Sequence, residues 1–166
     1  MKILVFSDSH GNTRNLREAF RLQIQRPRGI IFLGDGLRDL EMTDFGDVPV
    51  MAVRGNCDWL SQNEPSALML SMGEHTAFCV HGDAYRVKGG LESLKTAAAC
   101  RGADLVLFGH THQPHLEVIP ADEQVGDVIL QKPLYLFNPG SIGQREASFG
   151  VLTLQGKNVL FSHGKL

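Results

Sequence analysis

Short apolar runs that stop at glycine-flanked polar residues recur along this chain. Ile3-Leu4-Val5-Phe6 gives way to Ser7-Asp8-Ser9-His10, and Ile30-Ile31-Phe32-Leu33 gives way to Gly34-Asp35-Gly36. Residues 48–53 end at Arg54-Gly55-Asn56, and residues 104–108 end at Gly109-His110-Thr111-His112. Continuous apolar runs of this length suit strands covered on both faces, the habit of parallel sheets. Between the first two runs, Asn12 offers an N-cap, and Leu16, Ala19, Phe20 and Ile24 fall on one helical face. Pro27 and Gly29 end that helix. This βαβ-like opening limits the chain to a layered α/β fold with its strand ends directed at one edge.

Strands dominate the rest. Residues 67–70 and 77–80 flank Gly73 as a hairpin. A helix is expected from about Gly90 to Cys100, with Gly102 as its C′ residue. Further strands are expected at 104–108, 115–119, 127–130, 134–137, 147–154 and 158–162, with Gln155-Gly156 turning the last pair. The expected architecture is α/β: two packed mixed β-sheets, a β-sandwich core, flanked by α-helices. A length of 166 residues suits one domain over 1–166 with a core of ordinary size.

Composition mainly excludes. A formal net charge of -2 gives no electrostatic case for a nucleic-acid coat. No apolar stretch approaches the ~20 residues of a membrane span, and the N-terminal run is too short for a signal h-region. Cys57, Cys79 and Cys100 are widely spaced, odd in number and without a CxxC pair, which fits a reducing cytoplasm. A weakly acidic protein can still hold a phosphate compound where a local cation, such as a metal, supplies the charge.

Metal-capable side chains gather where the strands stop: Asp8, His10, Asp35, Asn56, His81, His110 and His112. Ligands on loops at the ends of rigid strands are pre-positioned. Carboxylates and imidazoles without thiolates suit Mn, Fe, Zn, Ni or Co. Asp8 and His10, like His110 and His112, stand two apart. In an extended segment such pairs point the same way, although a strand end can splay the second pair towards different metals. Asp35 stands alone in its loop and is the candidate bridge between two ions. Two divalent ions, two aspartates and a bridging hydroxide leave about +1, which favours an anionic phosphate ester.

In order, these pieces are Asp8-Ser9-His10, Gly34-Asp35, Gly55-Asn56, His81-Gly82 and Gly109-His110-Thr111-His112. The set resembles the calcineurin-like metallophosphoesterase superfamily. The late Asn138-Pro139-Gly140-Ser141 and the compact length resemble its short YfcE-type phosphodiesterase branch. The resemblance implies one metal on Asp8, His10 and His112, a second on Asn56, His81 and His110, and Asp35 bridging both. Manganese is the first expectation, and a small-molecule phosphate ester is the expected substrate.

Two positions depart from the superfamily pattern. Cys57 stands where many members carry a histidine, and Asp39 falls one residue later than the second aspartate of Gly-Asp-x-x-Asp, so Asp39 receives no role. Arg54 is a candidate phosphate contact or a plain surface arginine. Asp58 either orients a neighbour or faces solvent. His75, His115 and His163 read as structural or surface residues, and Cys79 and Cys100 as core. Competing functions are a phosphomonoesterase or nucleotide pyrophosphatase with the same centre, and a protein-interaction scaffold like the retromer subunit of this fold. The complete ligand set favours an enzyme. Homo-oligomerisation stays open.

Overall fold

A computed structural model describes residues 1–61 and 63–166. Two five-stranded mixed sheets carry the architecture. The first has the order β12-β11-β1-β2-β3, from β1 (Lys2–Phe6), β2 (Gly29–Phe32), β3 (Val50–Ala52), β11 (Ser148–Gln155) and β12 (Asn158–Lys165). The second has the order β4-β5-β6-β10-β7, from β4 (Ala67–Met72), β5 (His75–Val80), β6 (Leu105–Leu107), β7 (Pro114–Ile119) and β10 (Leu134–Pro139). Strands β1, β2 and β3 run parallel, as do β5, β6 and β10.

The apolar runs are continuous because both faces of each strand are buried. Ile3, Val5, Ile31 and Leu33 meet Ala77, Cys79, Leu105, Leu107 and Phe137 between the sheets. The alternate residues Leu4, Phe6, Ile30 and Phe32 pack under Leu16 and Ala19 of α1 (Thr13–Arg21). On the other side, Phe78, Val80, Val106 and Phe108 pack under Leu94, Ala98 and Ala99 of α3 (Glu92–Cys100). Each such buried side chain contributes about 1.5–3 kcal/mol. The layers are therefore helix, sheet, sheet, helix.

Several expectations change in detail. Helix α1 starts at the Asn12 cap, whose side chain accepts the Asn15 amide at 3.1 Å. It stops at Arg21, so Ile24 lies beyond it, 101% exposed rather than on the packed face. A short helix α2 (Leu37–Glu41) was not anticipated, because five residues are too few to carry a period. The strand expected at 127–130 is a small hairpin of β8 (Gln124–Val125) and β9 (Val128–Ile129), which lays Val125 and Val128 against the α3 layer. Gly102 follows α3 with φ +69°, as a C′ glycine should. Cys100 is exposed on α3, whereas Cys79 is fully buried. His75 pairs with Asp104 at 2.8 Å, and His163 reaches the Asn138 carbonyl at 2.8 Å while stacking on Phe137, so both serve the scaffold. Among the described residues no helix is long and apolar enough to cross a membrane.

Candidate metal centre

The C-terminal ends of the parallel strands in both sheets open on one edge. From the first sheet, the loop after β1 brings Asp8 and His10, the loop after β2 brings Asp35, and the turn after β3 brings Asn56. From the second, the end of β5 brings His81 and the loop after β6 brings His110 and His112. All seven side chains named from the sequence converge there.

The convergence does not come from extended backbone. Asp8 (φ 56°), His10 (45°), Asp35 (60°), His110 (65°) and His112 (60°) all have left-handed conformations. The two-residue spacing therefore works through alternating left-handed residues, not through strand alternation. Such conformations cost about 1–2 kcal/mol each for residues with a Cβ and persist only where the surroundings impose them. Here the close approach of the loops imposes them. A Cβ on Gly55 would fall on Asp35 Oδ1, and one on Gly109 would fall on Ser7 Oγ.

Two donor sets form. In the first, His112 Nε2 lies 3.2 Å from Asp8 Oδ1 and 3.2 Å from His10 Nε2. In the second, His81 Nε2 lies 3.4 Å from Asp35 Oδ2, 3.2 Å from Asn56 Oδ1 and 3.1 Å from His110 Nδ1. Donors bonded at ~2.1 Å to one tetrahedral ion would stand about 3.3 Å apart. Asp35 Oδ2 is also 4.0 Å from His10 Nε2, so it lies between the sets.

The donor chemistry fits cations. Asp8 is fully buried; its Oδ2 accepts from Ser7 Oγ at 2.6 Å and from the His110 amide at 3.1 Å. Among the described residues its Oδ1 has no hydrogen-bond partner. A buried carboxylate oxygen left in that state is costly unless a cation meets it. His81 donates Nδ1–H to the Leu33 carbonyl at 2.7 Å, which turns the Nε2 lone pair into the cluster, the usual backing of a metal-bound imidazole.

Within the cluster the titratable groups shift one another. Burial pushes Asp35 up, but His81 and the Cys57 amide outweigh it and hold the carboxyl well below the usual range. Burial pushes His81 down, but the hydrogen bond and charge of Asp35 raise it above an ordinary histidine. His110 is lowered by burial and by the neighbouring His81. Cys57, 2.8 Å by its amide from Asp35 Oδ1, has its thiol raised to about 11 by burial and then by Asp35.

Groups outside the seven hold this arrangement; the sequence reading gave Asp39 no role and left Asp58 open between orienting a neighbour and facing solvent. Asp39 Oδ2 accepts from Ser9 Oγ at 2.5 Å and from the Gly11 amide at 2.8 Å, fixing the loop between Asp8 and His10. Asp58 accepts four backbone amides that tie the Asp35 loop to Gly55. In the Asn138-Pro139-Gly140-Ser141 segment, Asn138 Nδ2 donates to Gly109 O at 2.8 Å and Ser141 Oγ donates to Asp8 O at 2.8 Å. These contacts are long-range: the Asn138-Pro139-Gly140-Ser141 motif was legible in the sequence, but the carbonyls it meets were not. His115 lies outside the cluster on β7, 3.6 Å from Glu117.

The match to the calcineurin-like phosphoesterase superfamily domain covers residues 1–158, and the chain belongs to that superfamily. It is 29% identical over 159 residues to the probable metallophosphoesterase YsnB of Bacillus subtilis (strain 168), covering 93% of this chain and 85% of the relative. It is 30% identical over 145 residues to the probable metallophosphoesterase MJ0623 of Methanocaldococcus jannaschii, covering 85% of this chain and 68% of the relative. Among solved structures, a predicted phosphoesterase from Streptococcus pneumoniae TIGR4 superposes with a TM-score of 0.76 at 22% identity, covering 99% of this chain and 88% of that one. Vps29 from Entamoeba histolytica complexed with Zn superposes with a TM-score of 0.71 at 19% identity, covering 99% of each chain. These two share the fold. The superfamily uses divalent metals, and membership supports a metal-dependent phosphoesterase.

Proposed function

We propose that this calcineurin-like phosphoesterase, acting as one domain, hydrolyses small-molecule phosphodiesters at a two-metal centre. Asp8, His10 and His112 would hold one ion, and Asn56, His81 and His110 the other, with Asp35 shared. Manganese is the favoured ion, with Ni, Fe, Zn or Co as substitutes. The chemistry that bound divalent ions would supply there is polarisation of a phosphoryl oxygen and a lowered pKa for water. The observation that carries this reading is the buried Asp8 Oδ1, which faces His112 Nε2 at 3.2 Å in the first donor set and accepts no hydrogen bond among the described residues.

The chain's own groups do the positioning. His81 keeps its Nε2 directed inward through the Leu33 carbonyl. The Ser7 hydroxyl and the His110 amide orient Asp8 so that one oxygen faces the centre. Cys57 offers no imidazolium to the departing oxygen, so esters whose leaving group departs as a stable anion are favoured. A phosphomonoesterase or nucleotide pyrophosphatase would use the same centre. A scaffold of the Vps29 kind would not need an intact donor set.

The test is a substrate screen on chelator-stripped, metal-reconstituted protein. Bis(4-nitrophenyl) phosphate, 4-nitrophenyl phosphate and nucleotides are compared with each ion in turn. Diester turnover that disappears with chelator and returns with Mn²⁺ is expected. Turnover undiminished in chelator, or a marked preference for the monoester, overturns the corresponding half of the proposal.

A further inference from the structure

Beside Asn56, a cleft of about 350 Å³ opens away from the donor cluster, walled by Arg54, Trp59, Val80, Asp83 and Tyr85. Trp59 is 69% exposed, unusual for the largest apolar side chain, and it is the only tryptophan of the chain. Its backbone is nevertheless held in a tight turn. It directly follows Asp58, whose carboxylate is locked by four amides, and the Ser61 amide closes the turn on the Asp58 carbonyl at 3.0 Å. The facing wall is also rigid, because Tyr85 packs edge-on against Phe78 with centroids 5.9 Å apart. Arg54 and Asp83 place one charge of each sign at the walls, so the lining carries no net charge that favours an ionic substituent.

We infer that this cleft is the subsite for a neutral, planar aromatic substituent of the substrate, with Trp59 as its stacking platform. The inference rests on the phosphoesterase reading, which puts the phosphoryl group at the donor cluster. Asn56 belongs to both places, so an ester held at the cluster can extend a substituent directly into the cleft. Stacking of a planar ring on an exposed aromatic face strengthens binding by roughly tenfold. With one wall charge of each sign the cleft offers no net cationic field for a polyphosphate arm, so the subsite selects aryl or nucleoside esters over pyrophosphate-like ones.

Trp59 is its own reporter. The Zn²⁺-loaded protein is titrated with phenylphosphonate and with methylphosphonate while tryptophan emission and calorimetric affinity are recorded. Phenylphosphonate should shift the emission and bind roughly tenfold more tightly than methylphosphonate. Trp59→Ala should remove that advantage and leave methylphosphonate affinity unchanged, and Trp59→Phe should restore most of it. Equal affinities for the two phosphonates, or an undiminished advantage in Trp59→Ala, overturns the subsite. Turnover of diesters with equal phosphonate affinities removes the cleft but leaves the esterase. Phenyl selectivity with no turnover of any ester removes the esterase but leaves an aryl-phosphonate site.

Discussion

The carboxylate of Asp58 accepts the backbone amide of Asp35 at 2.7 Å, across 23 residues of sequence. The same carboxylate takes the amides of Gly36 at 2.8 Å, Leu37 at 2.9 Å and Gly55 at 2.9 Å. One buried side chain thus binds the loop after β2 to the turn after β3. It holds Asp35 in its left-handed conformation and brings Asn56 alongside. Asp58 touches no donor of the cluster in these contacts, so its effect passes through backbone.

Removing that carboxylate leaves four amides without their acceptor. Asp58→Ala should destabilise the protein by about 3 kcal/mol and weaken metal binding by roughly 10–100-fold. Chemical denaturation in chelator and a metal titration of the folded fraction separate the two effects. Wild-type stability in Asp58→Ala would show that water replaces the carboxylate without cost.

Asp35→Asn probes the shared position. Asp35 Oδ1 already accepts the Cys57 amide, while Oδ2 faces His81 and lies near His10. An amide at this place keeps the size but loses the charge and the second acceptor. Turnover should be abolished and bound metal reduced, read by elemental analysis of the purified variant. Near-normal rate and metal content would reduce Asp35 to a loop residue.

Metal uptake should release a proton. His81 is raised above an ordinary histidine, about 6.5, because the charge and hydrogen bond of Asp35 outweigh its burial. The charged pair therefore stabilises the metal-free protein fully below the ordinary histidine value, and this contribution is lost as pH rises through the folded value. A bound ion needs the neutral Nε2, so uptake near pH ~6.5 displaces a proton and affinity rises with pH. Asp35, held low, is already ionised and contributes no proton. Calorimetry in two buffers of different ionisation enthalpy measures this, and buffer-independent heats would contradict it.

What could be read from the sequence was the part set by local pattern. Apolar runs ending at glycine-flanked polar residues located β1, β2, β3 and β6, and the hairpin around Gly73 located β5, and with them the residues that now converge at one edge. The left-handed conformations at Asp8, His10 and His112 were hidden, because they come from loops pressing together rather than from local preference. Asp39 was opaque for the same reason, and Asp58 could be read only as orienting a neighbour or facing solvent, because each acts on amides supplied by folding. Helix α2 is too short to show a period. Cys100 misled because its helix buries Leu94, Ala98 and Ala99, and position 100 turns away from that face.

Position 57 sets the leaving-group preference. Many superfamily members would put an imidazole beside the asparagine; here the side chain is a thiol. Burial and then the Asp35 carboxylate raise that thiol to about 11, so it keeps its proton at neutral pH and gives it up reluctantly. The thiol is exposed and accepts a hydrogen bond from Asn56 Nδ2 at 3.3 Å. A departing oxygen must therefore leave with little proton assistance, and aryl esters should react faster than alkyl esters. Cys57→Ala should change the rate only modestly, within about threefold, because no proton passes through the thiol; a rate barrier difference of ~0.7 kcal/mol corresponds to that factor. Cys57→His should narrow the gap between aryl and alkyl diesters by adding an acid near neutral pH. The slope of log rate against leaving-group pKa, compared for the three proteins with chemistry rate-limiting, measures the difference. A flat wild-type slope, or collapse of activity in Cys57→Ala, would mean that the thiol or another group supplies the proton.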